Sequence, residues 1–202
     1  MSERFKDMVK VPKEPVAKLL SLTNTRLKTP IEAPVAALAE EVLIELDGKG
    51  AMADVLRVMS IVLPPRERVW WACLAARDYV GPKVEKLPES LVTSEAWVFK
   101  PTDENRERAR LSMDDAYMDD ETVNCALSVL YSDGTLGPAD LAEFPAPAGA
   151  SETYAFVMNI VALDKNSDRF EEYGQMLIDR AVDIARGGNG RIETKERVKE
   201  AT

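Results

Sequence analysis

Apolar residues recur along this chain at steps of three and four, and no stretch alternates apolar and polar as a strand would. Residues 1–13 carry mixed charge with little periodicity and read as a loose arm. Pro15 suits a first helical turn, with Val16, Leu19 and Leu20 on one face and a stop near Thr23. A second helix starts either at Thr29 and Pro30, with Glu32 reaching back as in a capping box, or at Ala33 before Pro34. Either start leads into the stripe Val35, Leu38, Ala39, Val42, Leu43 and Leu46, which Gly48 and Gly50 end. Met52, Val55, Leu56, Met59, Val62 and Leu63 form the next stripe, with Asp54, Arg57 and Ser60 facing elsewhere.

From about Pro65 to Val80 the pattern changes, because the chain is apolar around most of the helix: Val69, Trp70, Trp71, Ala72, Cys73, Leu74, Ala75 and Ala76. Such a helix is the buried central element, and Gly81 with Pro82 stops it. Leu91, Val92, Ala96 and Phe99 support a helix ended by Pro101. Ala109, Met113, Ala116 and Tyr117 support another, begun by Asp103 and Glu104, and Val123, Ala126, Leu127, Leu130 and Tyr131 support a third. Residues 132–150 hold Gly134, Gly137 and Pro138 before Ala139 to Glu143, which could form one helical turn, and Pro145, Pro147 and Gly149 after it, so they form a long loop. Ser151 caps a helix running to about Leu163. The last helix carries Phe170, Tyr173, Leu177, Ile178, Ala181, Ile184 and Ala185 inward and stops at Gly187, Gly188, Asn189 and Gly190.

These elements predict an all-α fold, an irregular multi-helix bundle of about nine helices or stacked helical hairpins, with a formal solenoid as the alternative. The expected organisation is a flexible arm at 1–13, a single helical domain at 14–187 and a flexible charged tail at 188–202.

Composition narrows the chemistry. None of the 202 residues is histidine, which removes the commonest general base and neutral metal ligand. A formal charge of −9 disfavours nucleic acid and anionic membranes as partners. The N-terminal residues lack the apolar run of a secretory signal and no stretch is long enough to span a bilayer, so a cytoplasmic location is expected. Cys73 and Cys125, both within apolar helical patterns, read as reduced core thiols.

Candidate sites are few. Asp164, Asn166 and Asp168 match the first three ligands of a calcium loop, but Arg169 stands in place of the turn glycine and Gln175 in place of the closing glutamate. A helix-to-helix turn explains the same residues. Asp114, Asp115, Asp119, Asp120 and Glu121 form an acidic set that could serve as a divalent-metal or basic-partner patch, but solvated helix termini need the same composition. Arg106, Arg108 and Arg110 interleave with Glu104 and Glu107, as intrahelical ion pairs do. The glycines at 187–190 lack the lysine of a phosphate loop and read as a helix stop, and Trp70 and Trp71 read as core. No metal or cofactor is expected.

Several segments in order, Arg66 to Ala76 (RERVWWACLAA), Glu95 to Val98 with Pro101 and Arg106, Tyr131 to Pro138 (YSDGTLGP), and the helix from Arg169 ending in DIARG, resemble a numbered family of uncharacterised bacterial proteins over roughly residues 20–190. In that family the loop tends to read Trp-Ser-Gly-Gly-Ser-Leu-Ala-Pro, so here the turn is kept and its chemistry shifts. The resemblance implies a helical fold and attaches no catalytic residue. It also implies that some members accompany type VI secretion components, which suits an adaptor, chaperone or assembly factor.

The leading functional expectation is therefore a non-enzymatic helical module that binds another protein, such as a secretion component or effector. The long loop is the expected contact, through Tyr131, Asp133, Leu136, Leu141 and Phe144, or else these side chains pin the loop as scaffold. The alternative is a carboxylate-dependent enzyme or effector domain without histidine, using Asp114, Asp115 or Asp119 as general acid or base.

Overall fold

Proline and glycine set many of the element boundaries. A computed structural model describes residues 3–114 and 116–192, and within them the chain forms nine α-helices: α1 (Val16–Leu22), α2 (Ala39–Gly48), α3 (Met52–Val62), α4 (Pro65–Val80), α5 (Glu89–Phe99), α6 (Asp103–Ser112), α7 (Val123–Leu130), α8 (Ala150–Lys165) and α9 (Phe170–Ala185). Pro15 and Pro88 sit at the N-caps of α1 and α5, and Pro65 opens α4. Among the described residues the one β pairing is an isolated antiparallel bridge between Thr135 and Pro145. The fold is all-α.

The apolar circumference of α4 has a direct structural cause. Trp71, Leu74 and Ala75 pack into one core with Phe5, α2, α3 and α9, whereas Val69, Ala72, Cys73 and Ala76 pack into a second core with Leu91 and Trp97 of α5, Ala109 of α6, and α7. Helix α8 is shared in the same way, giving Phe156, Ala162 and Leu163 to the first core and Ala155 and Met158 to the second. Two helices with a core on each side need apolar residues on most faces. Both cysteines lie buried in the second core, and burial, reinforced by the neighbouring Cys125, pushes the Cys73 thiol well up.

The structure corrects several expectations. Residues 3–13 are docked, not loose: Phe5 is fully buried, Arg4 pairs with Asp47 and Asp179, and Arg186 donates to the carbonyls of Glu3, Arg4 and Lys6. The flexible tail does not begin at 188, because Gly190 is buried and its N–H donates to the Asp183 carboxylate at 2.8 Å; residues 193–202 of that segment lie outside the described residues. Ser151 does not cap α8. The N-cap is Gly149, in the left-handed conformation, and its backbone passes so close to Thr23 that a Cβ would clash with the Thr23 carbonyl. Helix α6 stops at Ser112, which leaves Tyr117 outside it and exposed, and Phe170 at the start of α9 is likewise exposed.

Helix α2 begins at Ala39, after both expected starts, and Val35 is 81% exposed. Pro30 and Pro34 lack an N–H and bias the residues before them away from helix. The segment ahead of α2 is held by two carboxylates instead. Buried Asp54 accepts the N–H groups of Lys28 and Thr29 at 3.1 and 2.7 Å, and Glu45 accepts those of Glu32 and Ala33 at 2.7 and 2.8 Å. The Lys49 ammonium, followed by the Glu32 N–H, holds the Glu45 carboxyl down at about 2.

A carboxylate depressed in the folded state contributes stability that is complete above its unfolded value and is lost as pH falls through its folded value. The Glu45 contribution should therefore disappear between pH 4.5 and about 2. Denaturant midpoints recorded across that window should fall more steeply for wild type than for Glu45→Gln. Parallel curves would show that Glu45 does not fasten this segment.

Candidate functional site

The loop after α7 is organised by a residue of α6. Arg106 is buried on the face of α6 that carries Ala109, and its guanidinium donates to the Leu130 carbonyl that ends α7, to the Asp133 carboxylate, and to the Thr135 hydroxyl and carbonyl at 2.9 and 3.3 Å. Asp133 in turn accepts the Thr135 N–H at 2.9 Å and its hydroxyl at 2.8 Å. Burial pushes the Asp133 carboxyl up, but the Thr135 donors and Arg106 outweigh it and hold it below its usual value. Two backbone bonds then close the loop as a short hairpin, Leu136 N–H to Phe144 O and Ala146 N–H to Gly134 O, each 2.9 Å.

The five expected contact residues divide accordingly. Leu141 and Phe144 stand out at 40% and 55% exposure, on and just after the 3₁₀ turn Ala139–Glu143. Leu136 and Tyr131 are half-buried, with Tyr131 stacked on Tyr154 of α8 at 5.9 Å between centroids. Asp133 is engaged internally, as described. Asp140 and Glu143, both exposed, place acids on the same turn as Leu141 and beside Phe144.

The other candidates do not converge. Asp114 and Asp119 are exposed, Asp115 lies outside the described residues, and Asp120 accepts the N–H and hydroxyl of Thr122. Asp119 and Asp120 border a cavity of about 580 Å³ with Tyr79, Lys86 and Tyr117. Burial, then the charges of Glu121, Asp119 and Asp120, raises the Tyr79 hydroxyl. Asp164 and Asp168 face solvent and the Asn166 amide bonds the Ala162 carbonyl; among the described residues no cluster of three acidic or cysteine side chains has metal-site spacing.

Sequence reasoning missed two features. Arg106 and Arg68 are buried anchors, the latter donating to the Ser60 and Leu63 carbonyls and pairing with Glu152 at 2.8 Å. For Arg106 a signal existed, since it falls three residues before Ala109 on the apolar stripe. The second feature is a cleft of about 410 Å³ between α4, α5 and the segment after α9, bordered by Trp70, Val98 and Ile184 among others.

A family model described as a family of unknown function, DUF6931, matches residues 42–185. The chain belongs to the DUF6931 family. The match spans α3 to α9 and most of α2, so both the Arg106-pinned loop and the floor of the cleft fall within the DUF6931 region. Neither the curated proteins nor the solved structures contain a match to this DUF6931 chain. Among its described residues no helix is long and apolar enough to cross a membrane.

Proposed function

We propose that this protein is a non-enzymatic interaction module, an adaptor, chaperone or assembly factor, that docks another protein on the tip of the 131–147 loop. The observation that carries the reading is a loop fixed by a buried arginine yet presenting Leu141 and Phe144 to solvent. A pre-fixed loop loses little conformational entropy on binding, and exposed aromatic and aliphatic side chains are the anchors that interfaces desolvate. Asp140 and Glu143 beside them, in a chain of charge −9, favour a partner with an apolar pocket rimmed by lysine or arginine. The resemblance adds a partner class, a component or effector of bacterial type VI secretion.

The test is the double variant Leu141→Ser and Phe144→Ser, compared with wild type in affinity purification from the native cell. Both side chains are substantially exposed, so the melting temperature should stay within about 3 °C of wild type, while recovery of the partner falls at least about tenfold, the equivalent of roughly 1.4 kcal/mol. Undiminished recovery by the folded variant would move the interface elsewhere.

A further inference from the structure

The cleft between α4, α5 and the segment after α9 shares no residue with the loop. Its wall is built: the Trp70 indole N–H donates to the Asn189 carbonyl at 2.7 Å, and Gly190 packs so tightly on Leu74 and Ile184 that a Cβ there would overlap both. Asp183 fastens the same stretch, its carboxylate taking the Gly190 N–H and its carbonyl the Gly188 N–H, both at 2.8 Å. The glycine run that ends α9 is thus also a fixed wall.

Charge in the cleft opposes that of the molecule. Lys10 is paired with Glu67 at 2.8 Å and Arg77 with Glu95, which leaves two further guanidiniums on the lining. Arg66 uses its Nε on the Val98 carbonyl at 2.6 Å, and Arg191 lies over the Trp70 ring at 5.6 Å. The lining therefore carries four cations against two acids in a protein of net charge −9. A volume of about 410 Å³ lies within the range of small-molecule sites, and a guanidinium presents the forked donors that match a carboxylate.

We propose that this cleft binds a small organic carboxylate with an aromatic body, the ring against Trp70, Val98 and Phe99 and the carboxylate between Arg66 and Arg191. Three tryptophans give three indole N–H signals in a nitrogen-15 correlation spectrum, and Trp71 and Trp97 are buried, so the Trp70 signal, assigned with Trp70→Phe, reports on the cleft.

In titrations of the full chain, 3-phenylpropionate should shift that signal saturably, with Kd on the order of 1 mM for a ligand of this size. The neutral 3-phenylpropanamide should bind at least about threefold more weakly. Arg66→Gln and Arg191→Gln should each weaken the acid by about threefold to tenfold, as exposed charge-assisted pairs do, and leave the amide unchanged. Equal binding of acid and amide overturns the proposal without recourse to any variant. So does an unaltered Trp70 signal, or inorganic phosphate binding as tightly as phenylpropionate, which would make the cleft a simple anion site.

Discussion

Arg106→Met lowers the stability of the protein by about 2 to 4 kcal/mol and frees the 131–147 loop. The magnitude follows from what is left behind. Removing one partner of a fully buried ion pair costs roughly 3 to 5 kcal/mol, but the Asp133 side chain is 48% exposed and rehydrates once its partner is gone. The larger loss is at the buried Leu130 carbonyl, which ends α7 and accepts from both Nε and Nη2, with a smaller one at the half-buried Thr135 carbonyl; a buried acceptor left without a donor costs about 1 to 3 kcal/mol. Methionine keeps the apolar stem against the α6 face, so the change isolates the guanidinium. A denaturant midpoint gives the stability. Amide exchange at Leu136 and Ala146, whose N–H groups close the hairpin, gives the loop. An unchanged midpoint with retained protection would mean that the backbone hairpin holds itself.

Trp71→Ala should cost about 3 to 5 kcal/mol, the range for emptying a large buried aromatic site. Trp71 is fully buried at the junction of α4 with α9 and donates its indole N–H to the Leu177 carbonyl at 3.0 Å. Trp71→Phe separates the two contributions, since it refills most of the volume and loses only the hydrogen bond, and should cost nearer 1 to 2 kcal/mol. Equal losses in the two variants would place the energy in the hydrogen bond and not in the packing.

Helix positions were legible because they depend on local periodicity, and α4 was recognisable as central because no polar face interrupts its middle. What escaped the sequence depends on contacts between distant residues. Phe5 is a lone aromatic among charges, and nothing near it in the chain signals the core that α2 and α9 complete around it. Residues 28–33 look like a helix start, since Thr29, Pro30 and Glu32 have capping chemistry, yet the acceptors that hold them in a non-helical course come from Asp54 and Glu45. Arg106 is disguised by its neighbours: Arg108 and Arg110 are surface residues of the same type, and only the helical step to Ala109 separates the anchor from them. The loop was legible as irregular, but which of its side chains reach solvent was decided by Arg106 and the turn it pins. The cleft was invisible because its wall is a glycine run whose local meaning, the end of a helix, is also correct.

The docking of residues 3–13 sets an order of assembly during synthesis. Lys6 and Arg186, joined through the Lys6 carbonyl, are 180 residues apart in the chain. Phe5 therefore leaves the ribosome long before α9, which helps to enclose it. Helices α4 to α8 can form the second core beforehand, since none of its residues comes from α9. A nascent chain arrested before Phe170 lacks one wall of the first core and exposes an apolar seam along α3 and α4. The segment made earlier waits for the one made later.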